Sequence, residues 1–94
     1  MIKVLIKENI IQISGHANFD DYGKDIVCAS VSAIVYTTIN GILNIDKNAI
    51  EVIDNKNLTI KILSNDIITN KLINNMITLL KDLSEQYQEN LKIV

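Results

Sequence analysis

Two runs rich in β-branched residues, 2–7 (IKVLIK) and 10–14 (IIQIS), are separated by only Glu8 and Asn9. A two-residue break between strand-forming runs leaves room for little but a tight hairpin, so the chain opens on two antiparallel strands. The pattern returns further on. Residues 49–54 and 58–63 read as strands, the second alternating Leu58, Ile60 and Ile62 with Thr59 and Lys61, and DNKN at 54–57 supplies the turn between them.

A helix follows each hairpin. Asp25 is a good N-cap for a helix from about Ile26 to Leu43, with Gly41 and Asn44 near its stop. Its first half, IVCASVSAIV, carries no charge, and Ala29, Ser30, Ser32 and Ala33 are small. Such a helix is buried, either beneath the sheet or against another subunit. The second helix, about Asp66 to Glu89, places Ile68, Leu72, Met76, Leu79, Leu80, Leu83 and Tyr87 at spacings of three and four. That stripe marks an amphipathic surface helix. Leu91–Val94 can add a short edge strand. The order β-β-α-β-β-α predicts an α+β two-layer sandwich, with two helices on one face of a mostly antiparallel sheet of four to five strands.

At 94 residues the chain makes a single domain, 1–94. A net charge of -2 with scattered lysines disfavours nucleic-acid binding. Lys3 and Lys7 interrupt the apolar start, which suits a strand better than a signal peptide, and no apolar run is expected to reach the roughly 18 residues of a membrane span. The expected protein is soluble and cytoplasmic, with no membrane partner. One cysteine cannot form an internal disulfide, and one Cys with one His falls short of a zinc site unless Asp20 and Asp21 also bind. Neither a metal nor a cofactor is expected.

The only histidine, His16, and the only cysteine, Cys28, both fall in GHANFDDYGKDIVCA, residues 15–29. Gly15 ends the second strand, and Ala17 to Lys24 read as a polar loop leading to the helix. With Asp25 as cap, Cys28 is the third helical residue, where unpaired N–H groups and the helix dipole favour an anion such as a thiolate. The same N–H groups would offer an oxyanion hole. His16 would take the thiol proton as general base and return one to the leaving amine. Against this stands a plainer reading, an inert core cysteine and a structural histidine. Asp25 is a cap or an orienter of His16. Ser32, one turn after Cys28, is a packing residue or a polar contact in the site. Asp20 and Asp21 are solvated loop charges or an attraction for a basic peptide. Phe19 and Tyr22, with Gly23 as the loop's flexible end, are core anchors or a lid over substrate.

At Gly15-His16-Ala17 followed by Gly23-Lys24-Asp25-Ile26-Val27-Cys28-Ala29 and Ser32, the sequence resembles the ribosomal-processing cysteine proteases, the Prp family of small bacterial proteins. The match extends over the whole chain in length and element order. The resemblance implies an endopeptidase that removes a short N-terminal extension, ending in an aromatic pair, from the twenty-seventh large-subunit ribosomal protein. It implies Cys28 as nucleophile and His16 as base, supporting roles for Asp25 and Ser32, a mobile loop at 17–24, and a homodimer. The alternative is a non-enzymatic dimeric, ribosome-associated peptide-binding module that uses the apolar helix to pair and a sheet edge to add a strand.

Overall fold

The computed structural model describes residues 1–15 and 22–94, with side chains from 26 onward in the second stretch. Its elements run β1 (Ile2–Lys7), β2 (Ile10–Ser14), α1 (Tyr22–Ile45), β3 (Ile50–Asp54), β4 (Leu58–Ile62), α2 (Ile67–Gln86) and β5 (Leu91–Ile93). The strands form one sheet in the order β3-β4-β2-β1-β5, antiparallel except where β5 lies parallel to β1 at the edge. This is the expected α+β sandwich, and the tail strand completes a sheet of five.

Local chemistry fixes the joints. Asn9 takes φ 64°, a left-handed conformation that asparagine tolerates, and this lets Lys7 pair directly with Ile10. In the second hairpin the Asn55 N–H donates to the Asn57 carbonyl at 3.1 Å, closing the expected turn. Asp66 caps α2 with extended backbone (φ -61°, ψ 140°), and its N–H donates to Ser64 Oγ at 3.0 Å. Where α2 ends, the Tyr87 carbonyl accepts N–H groups from Asn90 and Leu91, each at 3.0 Å, and so turns the chain into β5.

One face of the sheet meets both helices. Val4, Ile11 and Ile60 from the strands, Val27 and Val35 from α1, and Met76 and Leu80 from α2 are all fully buried in one core. Lys3, Lys7 and Glu51 stand at exposed strand positions between the buried ones, as the two-residue period of a half-solvated sheet requires. On that face the cross-strand neighbours Lys61 and Glu51 approach to 3.8 Å, an exposed pair worth little to stability.

Three expectations need correction. First, α1 begins at Tyr22, so Asp25 is its fourth residue and not its cap, and Tyr22, Gly23 and Lys24 are helix and not loop. Aspartate suits the first turn of a helix as well as its cap, because both sit at the positive end of the dipole, so the residue type alone left a three-residue choice. Second, Met76 and Leu80 of the expected α2 stripe are fully buried and Leu72, Leu83 and Tyr87 pack on the core, but Thr69 and Ile73 are buried with them while Ile68 and Leu79 are 47% and 42% exposed. With leucine or isoleucine at adjacent positions on both edges, apolar spacing did not fix the rotation of the face. Third, Ile26–Ile45 is a run of 20 residues with a mean hydropathy of 1.8, long and apolar enough to cross a membrane. Its Ser, Thr and Asn residues break an apolar run by eye, yet none is charged. Here the run lies along the sheet, burying a stripe through Val27, Val31, Val35, Ile39 and Ile42.

Candidate active site

The antiparallel order brings the start of β1, the end of β2, the end of β3 and the start of β4 to one end of the sheet. The N-terminal half of α1 passes that end, and between them lies a pocket of about 190 Å³. Cys28 and Ser32, one helical turn apart, open into it from α1. Ile2, Ile13, Val31, Val35 and Leu58 give it apolar walls, and Gly15 borders it at the exit of β2.

Gly15 has φ 84°, and a Cβ built on it would collide with the carbonyl oxygen of Met1. Glycine is therefore needed twice over at the point where β2 hands the chain to His16. The Cys28 thiol is free and half-buried, touching the core on one side and the pocket on the other. Ser32 is exposed at the same pocket.

Because the helix starts earlier than expected, Cys28 is its seventh residue. The four N–H groups left free by an α-helix belong to its first turn, here residues 22–25, and the dipole's influence is concentrated there. The oxyanion hole expected from N–H groups beside Cys28 therefore does not follow from this helix start. His16, Phe19, Asp20 and Asp21 lie outside the described residues. Tyr22, Gly23 and Asp25 are placed as helical backbone only.

The pocket's lining also holds groups that the sequence reading passed over. Tyr36 Oη donates to Asp54 Oδ2 at 3.1 Å, tying α1 to the end of β3, and Lys56 of the β3–β4 turn lines the same pocket. The Tyr36 phenol is raised above its ordinary value near 10 by partial burial first, then by the hydrogen bond to Asp54 and the charge of that carboxylate. It remains a protonated donor at neutral pH. Tyr36 continues the four-residue series Cys28, Ser32, Tyr36, which the sequence contains; Asp54 read only as turn chemistry. Among the described residues no group of three or more His, Cys, Asp or Glu side chains is placed to hold a metal ion.

Comparison with known proteins bears on this geometry. The family model described as cysteine protease Prp matches residues 1–92. The ribosomal processing cysteine protease Prp of Mycoplasma genitalium is 41% identical over 56 residues, which cover 60% of this chain and 54% of that protein. The aligned stretch thus spans about half the relative's length. The protein of the same name from Staphylococcus aureus is 28% identical over 85 residues, covering 86% of this chain and 80% of its own. Among solved structures, that of an essential ribosomal processing protease Prp from S. aureus in complex with a substrate peptide superposes with a TM-score of 0.85 at 21% identity, covering 99% of this chain and 95% of that one. At that identity the likeness speaks for the fold.

Proposed function

Since the chain belongs to the cysteine protease Prp family, its model matching residues 1–92, we propose that it is a cysteine endopeptidase that removes the short N-terminal extension of the twenty-seventh large-subunit ribosomal protein. The observation that carries this reading is the position of Cys28, half-buried on α1 and lining a largely apolar pocket. Two relatives bear the name ribosomal processing cysteine protease, and one solved structure of that family holds a substrate peptide, which supports a peptide as the occupant.

The chemistry follows from the residue types. His16 takes the Cys28 proton, and the thiolate Sγ attacks the scissile carbonyl carbon to give a tetrahedral oxyanion. Collapse breaks the C–N bond, His16 delivers its proton to the departing amine, and a thioester remains on Cys28. Water, deprotonated by His16, then attacks the thioester and releases the acid and the free thiol. Ser32 supplies a hydroxyl beside the reacting sulfur, Asp25 orients His16, and Phe19, Tyr22 and Gly23 border the entering peptide. The protein works in the cytoplasm as a homodimer without metal or cofactor. The dimer reading is supported by the outward face of α1, where Ile26, Ala29, Ala33 and Thr37 are exposed and uncharged.

The test is cleavage of the extended ribosomal protein by purified enzyme. Cys28→Ala lowers the rate by at least about 10³-fold and His16→Ala by about 10²- to 10⁴-fold. Trimming at the normal rate by Cys28→Ala would overturn the mechanism. A wild-type protein that binds the extension but never releases a product would establish the binding-module reading instead.

A further inference from the structure

The net charge of -2 is a sum over the chain, and the fold does not spread it evenly. The helices cover one face of the sheet and leave the other open. On the open face the register sets Lys92 beside Lys3 near one end of the strands, and Lys7 and Lys61 on either side of Ile10 near the other. Between the two ends runs an uncharged row, Leu5, Gln12, Thr59 and Ile53. Lys56 stands in the β3–β4 turn and Glu8 in the β1–β2 turn, at opposite borders of the face, and Glu51 pairs with Lys61. Five of the nine lysines therefore meet two of the eleven acids here, a surplus of +3, and the rest of the sequence stands at -5.

Little of this charge is neutralised on the face itself. Among the described residues its ion pair is Lys61 with Glu51, at 3.8 Å. Lys3 and Lys92 are direct neighbours on β1 and β5, and like charges so placed repel. Beside the uncharged row lies a shallow depression of about 590 Å³ lined by Gln12, Ile53, Asn55, Lys56, Asn57 and Thr59. Five of those six side chains can donate a hydrogen bond and none is acidic. Lysine, asparagine, glutamine and threonine are among the side chains that hold phosphate oxygens in nucleic-acid complexes.

The layout of the face selects among polyanions. Lys3 and Lys7 are four residues apart on β1, about 13 Å at about 3.3 Å per residue. The phosphate strands bounding the major groove of B-DNA are separated by about 12 Å, so cations at both ends of an uncharged row match the two backbones of a duplex. Single strands are held largely by bases stacked on aromatic side chains, and among the described residues no aromatic side chain belongs to this face. An anionic membrane takes up exposed apolar side chains as well as lysines, and among the apolar strand residues here only Ile10 is exposed, at 38%.

We infer that the open face of the sheet docks on the phosphodiester backbone of a nucleic-acid duplex, RNA or DNA, through Lys3, Lys7, Lys56 and Lys92 and without reading base sequence. Lys61, engaged by Glu51, contributes less. The whole-chain charge spoke against such a partner because these lysines come from β1, β5 and a turn, which only the sheet brings onto one surface. The inference does not depend on Cys28 or on peptidase activity.

The experiment uses the full chain and fluorescein-labelled probes of one sequence: an RNA duplex, a DNA duplex and a single strand. Anisotropy gives the affinities at about 50 and 200 mM KCl. Release of counterions from about three to four phosphates lowers duplex affinity by about 40- to 150-fold between these salts. Lys3→Gln combined with Lys92→Gln reduces the slope of log affinity against log salt by about 2. Lys47→Gln combined with Lys71→Gln makes the same change of charge away from the face and leaves the slope as it was. Equal affinity for the two duplexes upholds a grip on phosphate alone; tighter binding of RNA upholds it with contacts to the 2′-hydroxyl added. The inference is overturned by absent duplex binding at the lower salt, by equal losses in both pairs of variants, or by a single strand held more tightly than either duplex. Capture by phosphatidylserine vesicles with neither duplex bound overturns it as well.

Discussion

Gly15 holds φ 84° immediately before His16, with the Met1 carbonyl against its α-carbon. Replacing it by alanine adds left-handed strain of about 1–3 kcal/mol and forces β1 and β2 apart at the site's border. Gly15→Ala is therefore expected to lower the unfolding free energy by that amount, read as an earlier urea midpoint, and to slow cleavage beyond what stability explains. A substitution with full stability and normal turnover would show that the close approach is not needed. The residue scale is also where the sequence was most and least informative. His16 and Cys28 stand out because each is the only one of its kind. Tyr36 and Asp54 carry no such mark: a tyrosine on a helix and an aspartate before a turn are ordinary, and only the fold brings them to 3.1 Å.

At the scale of elements, the two hairpins were legible almost to the residue, because a two-residue period and short polar turns leave few alternatives. Helices were less so. The three residues before Asp25 joined α1, and Asp21, directly before Tyr22 in the sequence, is as good a capping type as Asp25, while α2 buries Thr69 and Ile73 in place of the Ile68 and Leu79 that its apolar spacing also offered. Which edge of the stripe is buried is testable with neighbouring residues of one type. Leu80 is fully buried and Leu79 is 42% exposed, so Leu80→Ala costs about 2–5 kcal/mol while Leu79→Ala costs under about 1 kcal/mol. Chemical denaturation of the two variants decides it, and equal losses would restore the stripe read from the sequence.

Across the whole molecule, β5 ties the last residues to the first strand. The Ile2 N–H donates to the Asn90 carbonyl at 2.9 Å and the Val94 N–H to the Val4 carbonyl at 2.8 Å, with Leu91 buried between β1 and α2. Sequence alone gave this strand only three or four residues of pattern, too few to choose its neighbour or direction. Removing residues 91–94 loses a buried leucine, itself worth about 2–5 kcal/mol, together with its ladder bonds. The truncated protein is expected to unfold well below the full chain in a thermal melt and to lose hydrogen-exchange protection along β1. Protection of β1 equal to that of the full chain would show that the edge strand is dispensable.

The pocket's walls come from stretches far apart in the sequence. His16 and Cys28 belong to the first third of the chain, whereas Asp54 and Leu58 stand past its midpoint, across the second hairpin. During synthesis Cys28 is made well before the strands that complete the pocket beside it. Until β3 and β4 join the sheet the Cys28 thiol has no walled pocket to open into.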